Sequence, residues 1–188
     1  MKYLLVLFIL INCSVFGQNI TIGIGGALRT SGWPGLAKSS MEYSVKYYQK
    51  ISNFNLVIGY NYFEMRHKNE YISGSTQEYN RASRYCLNTY LIGLSTNIVD
   101  QNVVVGFRCL AGVVHSNNIY NYNFENNQLK IDRYIDAYYN PAFNVGLTIG
   151  GMIAKDIQLG FGLDGYLMGD ERTLISASIS VGFNFSKP

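Results

Sequence analysis

The sequence predicts an all-β fold, an eight-stranded antiparallel up-and-down transmembrane β-barrel. Three observations carry that expectation. From Asn19 to the end, apolar residues alternate with small or polar ones, the period of a strand with two unlike faces. The runs are even in number, and short connections alternate with long ones. Charged residues make up 14% of the chain, about half of the roughly 25% usual in soluble domains.

Residues 1–17 read as a secretory signal peptide: Lys2 supplies the positive start, Tyr3 to Ile11 an unbroken apolar run, and Val15-Phe16-Gly17 the cleavage positions before Gln18. That run is nine residues, about half of what a membrane-spanning helix needs. Leu10-Ile11-Asn12-Cys13 resembles a lipoprotein processing site, but Asn12 stands where such a site takes Gly or Ala. The barrel domain is therefore expected over 18–188.

The strands follow in order. Ile20, Ile22, Ile24 and Leu28 alternate with Thr21, Gly23, Gly25, Ala27 and Arg29, which sets the first at about 19–29. The same pattern places the others at about 37–50, 54–66, 85–99, 103–116, 141–153, 157–168 and 173–185. Residues 51–53, 100–102 and 154–156 are tight turns, whereas 30–36, 67–84, 117–140 and 169–172 are the connections at the other end. A soluble barrel would hide its apolar face and show charge to water. Here the other face is mostly Gly, Ser, Thr and Asn, so the apolar face is expected outward, toward lipid.

The signal peptide, the Gln at the mature start, the eight alternating strands and the closing Val181-Gly182-Phe183-Asn184-Phe185 resemble the small outer-membrane β-barrels of Gram-negative bacteria, the OmpA/OmpX-like porin-family proteins. The resemblance covers the whole mature chain and rests on pattern. It implies residence in the cell outer membrane, contact with outer-membrane lipid, and handling by the barrel-assembly machinery. Members of that family usually end on the aromatic residue, a signal for assembly; this chain runs on through Ser186-Lys187-Pro188.

Motifs for chemistry are sparse. Gly160 to Gly165 has GxGxxG spacing, but it lies inside one strand with no helix opening on it, so it is read as small lumen residues. Some barrels of this kind deacylate lipid A with a His and a Ser two residues on. His115-Ser116 has the wrong spacing, because adjacent residues face opposite sides of a strand. No metal-ligand motif and no cofactor is expected, and a net charge of +3 excludes nucleic-acid binding by phosphate neutralisation. If Asp100 and Gln101 centre the turn, Cys109 lies opposite Ile92, too far from Cys86 for a disulfide.

By parity Arg29, Lys38, Glu42, Lys46, Arg108 and Asp164 project into the lumen. Six ionisable groups there must pair or stay hydrated. They read as a salt-bridged plug in preference to an ion path, with Glu42 and Arg108 expected in one network. In the Asn- and aromatic-rich loop 117–127, Tyr120, Tyr122 and Phe124 are candidates for contact with an extracellular protein or glycan, in a solvated loop or a hairpin standing above the membrane. The expected function is non-enzymatic: a structural or surface-interaction protein. The alternatives are a small porin-like channel and, behind it, an outer-leaflet lipid-modifying enzyme.

Overall fold

The computed structural model describes residues 18–30, 39–66, 84–100, 103–120, 123–125, 128–130, 134–169 and 172–185. Eight strands close into one antiparallel barrel: β1 (Gln18–Arg29), β2 (Ser39–Ile51), β3 (Phe54–Arg66), β4 (Arg84–Asp100), β5 (Val103–Tyr120), β8 (Tyr134–Ala154), β9 (Ile157–Met168) and β10 (Arg172–Asn184). Between β5 and β8 the chain forms a separate two-stranded hairpin, β6 (Asn123–Glu125) with β7 (Gln128–Lys130). Each barrel strand pairs with its chain neighbours, and β1 closes on β10 from Asn19↔Asn184 to Arg29↔Leu174.

Turn chemistry fixes the ladders at one end. Ser52 and Asn53 join β2 to β3, and Ser52 takes the left-handed conformation (φ 58°) that a tight hairpin demands. Lys155 and Asp156 join β8 to β9 next to a register shift between Met152 and Ala154. Between β4 and β5 the register is Asp100↔Val103, so Cys109 faces Leu94, two positions from the expected Ile92. Neighbouring backbones also approach closely along this pair of strands. A Cβ on Gly112 would sit 1.9 Å from the Tyr90 carbonyl oxygen and one on Gly93 2.2 Å from that of Cys109, so only glycine permits this approach.

The outer strand ends differ from expectation. β5 runs on to Tyr120 and β8 begins at Tyr134, so much of the segment expected as a loop is paired strand that carries the β6–β7 hairpin beyond the barrel wall. At 18 and 21 residues, β5 and β8 exceed the 9–11 that cross a hydrocarbon core.

Alternation decides the two faces. Ile22, Val45, Ile58, Ile92, Phe107, Leu147, Leu159 and Ile179 all point outward, with exposures from 39% for Leu147 to 59% for Ile179. Side chains of this size repeat around the whole wall, far beyond the apolar patch that a water-soluble monomer leaves uncovered. The apolar face is the lipid face.

The inward face is not uniformly polar, as the sequence had suggested. In the half nearer the long connections apolar side chains dominate: Phe63, Met65, Tyr85, Leu87, Val114, Tyr166, Met168 and Leu174 are each at most 4% exposed and form one cluster, with buried Glu42, Asn61, Thr89 and Ser116 among them. Phe63 meets Tyr166 edge-on, ring centroids 5.1 Å apart. The half nearer the short turns is polar and contains a cavity of about 340 Å³.

Candidate functional site

The charged centre of the lumen lies where these halves meet. One ladder row carries Arg108 of β5, Gly146 of β8 and Asp164 of β9 side by side, all facing inward. Because Gly146 has no side chain, the outer two reach one another across it. A Cβ there would stand 2.3 Å from Asp164 Oδ1 and 2.6 Å from Arg108 Nε. Arg108 Nε donates to Asp164 Oδ1 at 3.1 Å, Nη2 donates to Oδ2, and Nη1 donates to Thr148 Oγ1. This two-pronged geometry is the strongest form of an arginine–carboxylate pair. Asn144 Nδ2 adds a bond to Oδ1 at 2.9 Å and one to the Gly165 carbonyl at 3.3 Å. From across the lumen, Lys46 of β2 brings its ammonium to 3.7 Å from Asp164 Oδ2. Both cations and the carboxylate are buried.

Glu42 lies toward the apolar side, outside the hydrogen bonds of this cluster though near enough to attract Lys46. It is fully buried and accepts a bond from the Tyr166 hydroxyl at 2.8 Å through Oε1. Its Oε2 has no hydrogen-bond partner among the described residues. The expected contact between Glu42 and Arg108 is therefore corrected: Asp164 occupies the guanidinium, and Glu42 belongs to Tyr166. Parity had placed the residues on the right face but could not choose their partners. Arg29 is half-buried on the same face of β1. Lys38 lies outside the described residues.

Three further members, Asn144, Thr148 and Tyr166, escaped the sequence reading because it followed charge alone. Each shares the inward parity of Gly146 or Asp164 on its own strand, and that signal was sufficient to find them.

Toward the short turns, the cavity is lined by Lys46, Arg108, Thr148 and polar residues of the strand ends such as Asn55, Asn97 and Gln158. At the hairpin end, Tyr120 closes β5 opposite Tyr134, and Phe124 of β6 pairs with Leu129 of β7. Tyr122 lies outside the described residues. His115 stacks on its ladder partner Tyr139, rings 4.4 Å apart and 13° from parallel. Ser116 is fully buried on the other side of the wall, so the two cannot act on one substrate atom. Among the described residues no three His, Cys, Asp or Glu side chains come together in a metal-binding group.

A closed eight-stranded wall, lipid-facing outside and packed inside, is the fold of the small outer-membrane β-barrels. Solved structures agree. The chain is similar to Ail, the attachment invasion locus protein of Yersinia pestis, solved in complex with the heparin analogue sucrose octasulfate: 12% identity over 91% of this chain and 99% of that one, TM-score 0.62. It is similar to Neisserial surface protein A at 10% identity over 90% and 97% of the two chains, TM-score 0.59. It also resembles the outer membrane protease OmpT of Escherichia coli, at 8% identity over 92% and 97%, TM-score 0.50. One fold thus carries both adhesive and enzymatic members. No protein-family model and no curated protein matches the sequence.

Proposed function

We propose that this chain is an exported, non-enzymatic protein of the outer membrane, a structural or surface-interaction barrel whose hairpin end meets its partner while the lumen passes no solute. The short turns then face the periplasm and the β6–β7 hairpin faces outward. The observation that carries the reading is the filled outer half of the lumen. Phe63, Leu87, Tyr166 and Leu174 occupy the cross-section through which an ion would have to pass, at 0–2% exposure. Packed side chains, with only buried Glu42 and Ser116 as polar members of the Phe63–Leu87 row, leave no continuous water path there, and a constriction of this kind blocks ions. Below it, the Arg108–Asp164–Lys46 cluster ties β2, β5 and β9 together and supports the closed register. Ail, with its heparin analogue, supports a glycan as one class of extracellular partner.

Planar-bilayer recording tests the closed lumen. The purified barrel should give no stepwise conductance, and steps that recur with every preparation would establish the channel reading. Mass spectrometry of lipid A, with and without the protein, should show no change, whereas an altered acyl pattern would establish the enzyme. Retention on immobilised heparin, compared with a variant whose residues 120–130 are replaced by Gly and Ser, tests the hairpin as the contact surface. Equal retention would remove that role.

A further inference from the structure

The cavity in the short-turn half is built differently from the rest of the lumen. Elsewhere large side chains fill the barrel, but on β9 and β10 the inward positions are Gly160, Gly162, Ser178, Ser180 and Gly182, and these leave the space open. At about 340 Å³ it lies within the range of small-ligand sites, roughly 300–1,000 Å³. Among the described residues its charged lining groups are Lys46, Lys50 and Arg108, with no Asp or Glu.

The two cations at the inner end of this cavity are unequally held. Asp164 is shared by two cations. Arg108 takes both carboxylate oxygens and Asn144 takes Oδ1 again. Lys46 is left with Oδ2 alone, at 3.7 Å, beyond hydrogen-bonding distance. Its side chain is 5% exposed and lines the cavity. An ammonium has three donors, and burying it without acceptors is costly. Glu42, the other buried acid, attracts Lys46 through space, but its Oε1 is engaged by Tyr166 and it is absent from the cavity lining.

We propose that this cavity is a binding site for a small solute carrying an oxyanion, phosphate or carboxylate, on a compact polar body. Lys46 receives the anion at the inner end. The amides of Asn55, Asn97 and Gln158 contact the body, and Lys50, exposed at the rim, attracts the charge to the mouth. Seals above and an opening at the short-turn end make the site a blind pocket. Under the orientation proposed above it is loaded from the periplasm, but binding itself does not depend on that orientation or on the hairpin's partner.

The test uses the refolded protein in non-ionic detergent. Inorganic phosphate, acetate, glucose 6-phosphate and glucose are titrated separately at constant ionic strength set with chloride, and the amide shifts of Gly160, Gly162 and Gly182 are followed by NMR. Phosphate or acetate should give saturable shifts confined to these strand ends, the stronger of the two naming the oxyanion. Glucose should be silent. Lys46→Met should weaken binding about tenfold or more, the loss expected for a hydrogen bond to a charged group. Ser180→Leu fills the cavity without touching the charged cluster and should abolish binding; if Lys46→Met does not fold, this variant decides. Shifts that fail to saturate, that chloride reproduces, or that survive Ser180→Leu would overturn the site.

Discussion

Replacing Asp164 by Asn tests the charged centre most severely, because one substitution orphans two cations. Arg108 loses a two-pronged partner and Lys46 loses the carboxylate it meets at 3.7 Å, while both remain buried. Breaking a buried pair from one side typically costs about 3–5 kcal/mol. Asn144 and Thr148 can still bond to the amide and the guanidinium, and Lys46 borders the cavity, so the lower part of that range is expected. Arg108→Met should cost less, since Asp164 then keeps Lys46 as counter-charge. The double variant should fall short of the sum by about 1–3 kcal/mol, because neither member is then left facing a missing partner. By contrast, Glu42→Gln with Arg108→Met should be nearly additive, since Tyr166 and not Arg108 holds Glu42. Urea titration in detergent micelles, read by the heat-dependent gel shift of folded barrels, gives all five values. Strict additivity of the Asp164 and Arg108 variants, or an Asp164→Asn cost below about 1 kcal/mol, would refute the pairing.

Gly146→Ala should cost about 1–3 kcal/mol by pushing Arg108 and Asp164 apart, whereas Gly165→Ala, whose Cβ would meet nothing nearer than 3.8 Å, should stay within about 0.5 kcal/mol in the same titration. Cys86 and Cys109 are free thiols, and Cys109 faces a position eight residues along β4 from Cys86, roughly 27 Å away. Alkylation of the denatured chain without reductant should therefore add two labels to a chain beginning at Gln18; a chain taking no label would contradict the register.

The strands and their faces were legible because a half-exposed strand writes its two environments into alternate letters. The apolar face expected outward, with Ile22, Phe107 and Leu159 on it, is the lipid side. Two features were not legible, for different reasons. Part of the apolar cluster was hidden in β4 and β5, where Leu87, Leu91, Leu110 and Val114 point inward between outward Tyr90, Ile92, Ala111 and Val113; with both faces apolar, period two carries little contrast. The long outer ends of β5 and β8 are written in Asn, Tyr and Asp, such as Asn117-Asn118 and Asp136, with no sustained apolar alternation to reveal the strand. Within the lumen, parity gave the face of Asp164 and Arg108, but the partner depended on which strands are neighbours. That is set by barrel closure and by the gap at Gly146, a single letter whose meaning emerges only in the ladder.

The central claim is that the apolar face meets lipid and the small-residue face meets the lumen. Leu159 and Gly160 are adjacent on β9, one outward at 44% exposure and the other buried inward. A Cβ on Gly160 would lie 3.1 Å from Ser180 Oγ and 3.3 Å from Thr148 Cγ2, close but against groups that can adjust. Folding of Leu159→Arg and Gly160→Ser into liposomes compares the two faces one residue apart. Arginine in the hydrocarbon core should cost about 2–4 kcal/mol and serine on the lumen side about 1 kcal/mol or less. Equal tolerance of the two, or a greater loss from Gly160→Ser, would contradict the orientation.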